Sequence, residues 1–116
     1  MRRRSRTAEV VDLDAVRSHR RQRLYRARLR RVLDGNEQAV ARLFHSGLLF
    51  TRQGTRAGRD LLLARQHLVR VGDLIHRLAP GEELEGSEEL FRELDELLEK
   101  SDRLASRTDE FVASLV

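Results

Sequence analysis

The sequence holds no cysteine and no tryptophan, and its 116 residues include one proline, one tyrosine and four phenylalanines. Without cysteine there is no disulfide, no thiolate nucleophile and no cysteine-based zinc site. A single proline leaves long stretches clear of the strongest helix breaker. Scarce aromatics, with Tyr25 alone in the basic N-terminal third, leave little on which to stack unpaired bases. No run of 18 apolar residues exists, so no helix long enough to cross a membrane is expected. Met1-Arg2-Arg3-Arg4-Ser5-Arg6 is basic, but the Thr7–Asp14 stretch after it is too acidic and too poor in apolar residues for a signal-peptide core. The same acids, and the lack of an apolar face, speak against a mitochondrial presequence. The expectation is a cytoplasmic protein.

What is present is charge and periodicity. Hydrophobic residues make up 40% and charged residues 36% of the chain, the mix of a long-helix or coiled-coil protein of one domain. Two turn signals divide it. In Leu33-Asp34-Gly35-Asn36-Glu37, Gly35 suits the residue after a helix and Asn36 the N-cap of the next. In the stretch 79–87, Pro80 stops a helix, and Ser87 with Glu88 and Glu89 makes an N-cap with an acidic first turn. The reading is all-α: a disordered basic arm over residues 1–11, then helices over 12–33, 37–79 and 87–115. Consecutive helices are antiparallel, with the long central one flanked by two shorter ones in coiled-coil-like packing.

The central helix carries the clearest pattern. Steps of three and four pick out Val40, Leu43, Gly47, Phe50, Gly54, Ala57, Leu61, Ala64, Leu68, Val71, Ile75 and Leu78, all apolar or glycine. A second stripe beside it holds Phe44, Leu48, Thr51, Thr55, Gly58, Leu62, Val69 and Gly72. The combined face is wider than one partner helix needs. In the third helix, one line runs through Leu90, Leu94, Leu97, Ser101, Leu104, Thr108, Phe111 and Leu115, with Phe91, Leu98, Ala105 and Val112 beside it. Continuity of the central helix through Gly54 and Gly58 is expected because the heptad register passes without a slip, although each glycine costs about 1 kcal/mol relative to alanine. The first helix is expected to fold back along residues 37–59 and the third along 51–79, so that the two meet end to end.

Charge is segregated along the chain. Residues 1–34 hold twelve Arg against four acids, a balance of +8; residues 35–79 stand at +4, and residues 80–116 at −8. Two function classes follow. The first is a non-enzymatic scaffold or adaptor that self-associates and binds a protein partner. Its contact face would be Leu43, Gly47, Phe50, Gly54, Ala57, Gly58, Leu61, Ala64 and Leu68, where small residues let another backbone approach. The second is a nucleic-acid-associated protein gripping phosphates through Arg2, Arg3, Arg4, Arg6, Arg17, Arg20, Arg21, Arg23, Arg26, Arg28, Arg30 and Arg31. Against it stands the plainer reading that these arginines answer the acidic third helix, within one chain or across a dimer. Docking on a membrane surface is disfavoured because residues 12–31 lack a clean apolar stripe.

Catalytic and metal sites find little support. His19, His45, His67 and His76 include no pair three or four apart, and Asp73-Leu-Ile-His76 is the sole acid-x-x-His unit. Ser46 adjoins His45, but neighbours on a helix do not face one another. The carboxylates of the third helix read as a solvated face. No enzyme activity, cofactor, metal or small-molecule substrate is expected.

Overall fold

The computed structural model describes residues 2–77 and 87–115, and side chains from Val16 onward with Ser18 and Ser87 excepted. The expected stop at Pro80 lies outside the described residues. Among the described residues there are three α-helices and one 3-10 turn: α1 (Arg2–His45), a turn at Leu48–Phe50, α2 (Arg52–Arg77) and α3 (Ser87–Leu115). The chain is all-α, and its helices pack on one another as a three-helix bundle. Its extents are 70 × 22 × 16 Å, and α1 alone accounts for the long axis at about 1.5 Å per residue over 44 residues.

The boundaries differ from those expected. No helix ends at Leu33–Asn36, and α1 runs on to His45. Two observations explain why. Gly35 does not adopt the left-handed conformation of a helix stop, since Gly47 is the one glycine with positive φ among the described residues. Asn36 is 1% exposed, and its Nδ2 donates to the Leu61 carbonyl at 3.0 Å, so it is an interhelical core residue and not a cap. An uninterrupted three-four line through Tyr25, Leu29, Val32, Asn36, Ala39 and Leu43 crosses the supposed turn, all six being buried or half-buried. At the other end α1 begins at Arg2, within the stretch assigned to an arm. Once the docked part is formed, each further residue gains a hydrogen bond, which favours extension.

The single long helix expected over 37–79 is instead broken, seven residues before the first of the paired glycines Gly54 and Gly58. Gly47 takes φ 77°, ψ −6°, a left-handed conformation natural to glycine. Hydroxyl groups then secure the reversal. Ser46 Oγ donates to the Leu43 carbonyl at 2.8 Å and accepts from the Leu48 amide at 3.2 Å. Thr51 is extended and caps α2: its Oγ1 accepts from the Gly54 amide at 3.0 Å and donates to the Leu48 carbonyl at 2.6 Å. Thr55 Oγ1 reaches the carbonyls of Leu49 and Thr51, each at 2.9 Å. Thr51 and Thr55, β-branched and of low helix propensity, are the fasteners of this turn.

This break reverses the chain, and α2 returns antiparallel to α1, as the pairs Gln22–Ile75, Asn36–Leu61 and Leu43–Gly58 show. Helix α3 lies parallel to α1, with Arg28 beside Asp95 and Arg42 beside Asp109. The expected end-to-end meeting of the first and third helices is therefore replaced by a side-by-side seam. Two apolar clusters fill the interior. One joins Val32, Leu68, Val71, Ile75, Leu94 and Leu98; the other joins Ala39, Leu43, Leu61, Ala105 and Val112. Within α2 the heptad line holds from Gly54 to Ile75, and in α3 both expected lines contribute buried residues. No helix of the described residues is long and apolar enough to cross a membrane.

Candidate docking seam and arginine face

Opposite charge is met first along the α1/α3 seam. Arg28 Nη1 donates to Asp95 Oδ1 at 2.8 Å, and its Nη2 lies 3.9 Å from Glu99. Arg42 pairs with Asp109 at 3.1 Å, and across the α2/α3 seam Arg70 pairs with Glu93 at 3.2 Å. Tyr25 stacks on Phe91 with centroids 5.4 Å apart, and the Arg21 guanidinium lies over the same Phe91 ring at 4.7 Å. The Arg28 pairs realise within one chain the basic-to-acidic match that the charge pattern suggested, whereas Arg21 meets an aromatic ring. Being partly exposed, the ion pairs set orientation more than stability.

The Tyr25 hydroxyl donates to Asp95 Oδ1 at 3.1 Å. Burial pushes the Tyr25 phenol above its ordinary value, the hydrogen bond to Asp95 and that carboxylate's charge add to the rise, and Arg28 and Arg21 oppose it. A group whose value is raised on folding contributes stability that is full below the unfolded value of about 10 and is lost as pH rises through the folded value. Stability should therefore decline on the alkaline side, and Tyr25→Phe should flatten that decline. Because the chain has one tyrosine, phenolate absorbance during an alkaline titration reads this group alone. A titration at or below the ordinary tyrosine value would contradict the packing described.

The face assigned to partner contact is mostly interior. Leu43, Gly54, Leu61, Ala64 and Leu68 are buried, and Ala57 and Gly58 are half-buried. A Cβ on Gly54 would lie 1.6 Å from the Leu48 carbonyl oxygen, and one on Gly58 would lie 3.0 Å from Leu49 Cδ1. The small residues thus admit the chain's own turn. Gly47 and Phe50 are exposed, Phe50 at 83%; the break at Gly47 changes the helical phase, so positions before Leu48 and after Thr51 do not share one face.

What stays uncovered is the solvent side of the α1/α2 seam. Val40 and Phe44 from α1 and Leu62 and Val69 from α2 are 45%, 60%, 62% and 61% exposed. Between Val40, Phe44 and Leu62 lies a groove of about 460 Å³ whose floor includes Leu43, Leu49 and Leu61 and whose rim carries Arg59 and Arg65. Among the described residues no carboxylate lines it. Phe44, Leu62 and Val69 belong to the second stripe of the sequence pattern, which is where its signal lay. Val40 stands on the first stripe and is exposed nonetheless.

The remaining arginines sort by position. Arg17, Arg20, Arg23, Arg26, Arg30 and Arg31 are exposed on α1, and none has an ion-pair partner among the described residues. Arg2, Arg3, Arg4 and Arg6 stand on the first two turns of α1, and their side chains lie outside the described residues. Among the described residues no group of three or more His, Asp or Glu side chains is placed to share a metal ion. In comparisons with protein-family models, with curated proteins and with solved structures, nothing matches this chain.

Proposed function

We propose that this protein is a non-enzymatic helical adaptor whose α1/α2 seam accepts an amphipathic helix from a protein partner. The observation that carries the reading is the exposure of Val40, Phe44 and Leu62 along one groove between two antiparallel helices, with Val69 exposed beyond it on α2. A three-helix bundle with such a seam is one helix short of a four-helix bundle. An apolar face of this kind on an otherwise charged surface is where helix-in-groove recognition operates.

Charge selects among occupants. Arg59 and Arg65 stand on the rim with no acid lining the groove among the described residues, so the partner helix carries Glu or Asp beside its apolar stripe. A second copy meeting this seam across a two-fold axis would bring both arginine rims into one interface. Self-association, which the wide apolar face of the sequence suggested, is therefore the less favoured use of the groove. Each large apolar side chain buried contributes roughly 1.5–3 kcal/mol. After the costs of association, a micromolar contact of about 8 kcal/mol is the expected scale.

A synthetic helical peptide with a leucine stripe flanked by glutamates, titrated against the full chain by fluorescence anisotropy, tests the reading. Binding should be micromolar, should weaken at least about tenfold (about 1.4 kcal/mol) when the glutamates become lysines, and should be lost in Phe44→Glu, Leu62→Glu. Both positions are exposed, so the helical content should not change. Light scattering should give the mass of one chain. A dimer that dissociates in the Phe44→Glu, Leu62→Glu variant, with no binding of either peptide, would overturn the proposal.

A further inference from the structure

The arginines of α1 form two populations that the sequence could not separate. Arg21, Arg28 and Arg42 face α3 and are engaged by Phe91, Asp95, Glu99 and Asp109. Arg17, Arg20, Arg23, Arg26, Arg30 and Arg31 have no such partner among the described residues, and all but Arg17 lie on the side away from α3. At about 100° per residue, Val16 and Ala27 mark a ridge opposite the Tyr25–Leu43 core line. Arg17, Arg20 and Arg31 fall on one flank of that ridge, and Arg23, Arg26 and Arg30 on the other. All six, with Ala27 and Val16, are exposed. Asp34 ends this face on its C-terminal side, and among the described residues cross-helix contacts of α1 begin only at Arg21 and Gln22.

We infer that this outward face of α1 binds the phosphate backbone of duplex DNA from within the major groove, without reading bases. The inference is independent of the α1/α2 groove and uses a different surface. An α-helix with side chains is about 10–12 Å across, and the major groove of B-form DNA is about 12 Å wide with phosphates along both edges. A helix with cations on both flanks of a small-residue ridge reaches both edges at once, whereas a one-sided stripe would reach one. Counterion release supplies the affinity. Base preference is not expected, because the ridge that meets the base edges offers Val16 and Ala27 while the flanking arginines are taken up by the phosphates.

Competing polyanions fit less well. Single strands are bound by stacking on aromatics, and the one aromatic of this stretch, Tyr25, is turned inward against Phe91. Insertion into an anionic membrane surface needs a broad apolar face, and here the exposed apolar residues are Val16 and Leu24 among six arginines. Duplex RNA has a deep, narrow major groove that does not admit a helix. DNA duplex over RNA duplex is therefore the signature that separates groove docking from mere attraction between opposite charges.

The test is anisotropy of a labelled DNA duplex of about twenty base pairs titrated with the full chain across a salt series. Replacing Arg20, Arg23, Arg30 and Arg31 with Gln should weaken binding at least about tenfold and lower the salt slope by roughly three to four, near 0.9 for each phosphate no longer neutralised. Removing equal charge from α2, as Arg52, Arg56, Arg59 and Arg65→Gln, should change affinity by less than about threefold. Lysine at the four α1 positions should restore binding, which guards against loss through misfolding. An RNA duplex of the same sequence should bind at least about tenfold more weakly than the DNA. Equal losses in the α1 and α2 variants, equal binding of DNA and RNA duplexes, or binding to phosphatidylserine vesicles but not to DNA would each overturn the inference.

Discussion

Gly54→Ala is expected to destabilise the fold by about 3 kcal/mol or more, while Gly35→Ala should stabilise it by about 0.5–1 kcal/mol. The same chemical change has opposite signs because the two glycines do different things. The added methyl carbon at Gly54 would sit 1.6 Å from the Leu48 carbonyl oxygen and 2.9 Å from Thr51 Oγ1. Neither neighbour is the loose end of a long side chain. The carbonyl is backbone, and Thr51 caps α2 through that same hydroxyl. Relief therefore requires the 3-10 turn to move away from α2, which would disturb the contacts of Leu48 and Leu49 with the core cluster around Leu43 and Leu61. At Gly35 nothing lies within 4 Å and the backbone is helical, so the methyl group costs nothing and helix propensity improves. Urea unfolding of both variants checks the pair. If Gly35→Ala were the damaging one, the chain would turn where the sequence first suggested.

Asn36→Asp, a change of one nitrogen to oxygen, should cost about 3 kcal/mol at neutral pH. Asn36 is 1% exposed, and its amide donates to the Leu61 carbonyl across the α1/α2 interface. An ionised carboxylate there cannot donate, faces a carbonyl oxygen and has no water to solvate it. The destabilisation should have a defined pH dependence. Burial raises the folded carboxyl value above its unfolded value of about 4. Stability should be nearly intact below that pH, where the group is protonated and can again donate, and lost as pH rises through the folded value. Asn36→Leu should stay within about 1 kcal/mol of the parent, since it removes the buried donor and the Leu61 carbonyl retains its helical bond. A flat pH profile for Asn36→Asp would mean that position 36 is exposed, as an N-cap would be.

Helical class was legible because periodicity survives any error in boundaries. The line from Gly54 to Ile75 is buried but for half-buried Ala57, and the paired lines of α3 are buried or half-buried except for exposed Leu115. The turn was misplaced for a physical reason. Asp34, Gly35 and Asn36 are turn-forming by local preference, yet Asn36 occupies a core position whose hydrogen-bond partner lies twenty-five residues away. Local chemistry cannot reveal a distant acceptor. Conversely, Ser46-Gly47 was hidden because Gly47 and Phe50 fall on an apolar-or-glycine heptad line, and glycine satisfies such a line as readily as it breaks one. The seam residues Phe44, Leu62 and Val69 were visible as a second stripe, but their exposure depends on α3 taking the opposite side of the α1/α2 pair. That choice follows from the turn, so one misplaced reversal carried the partner face with it. The division of the arginines needed the structure for the same reason.

Both proposals rest on α1 continuing unbroken through Gly35 and Asn36 and on the reversal falling at Gly47. The absence of native cysteine allows spin labels at two introduced sites, and Arg20 and Ala41 are both exposed on α1. Pulsed electron–electron double resonance should give a separation of about 32 Å, the rise of twenty-one helical residues. A hairpin at Leu33–Asn36 would bring the two labels to about 20 Å or less, and that distance would contradict the fold on which the seam and the arginine face depend.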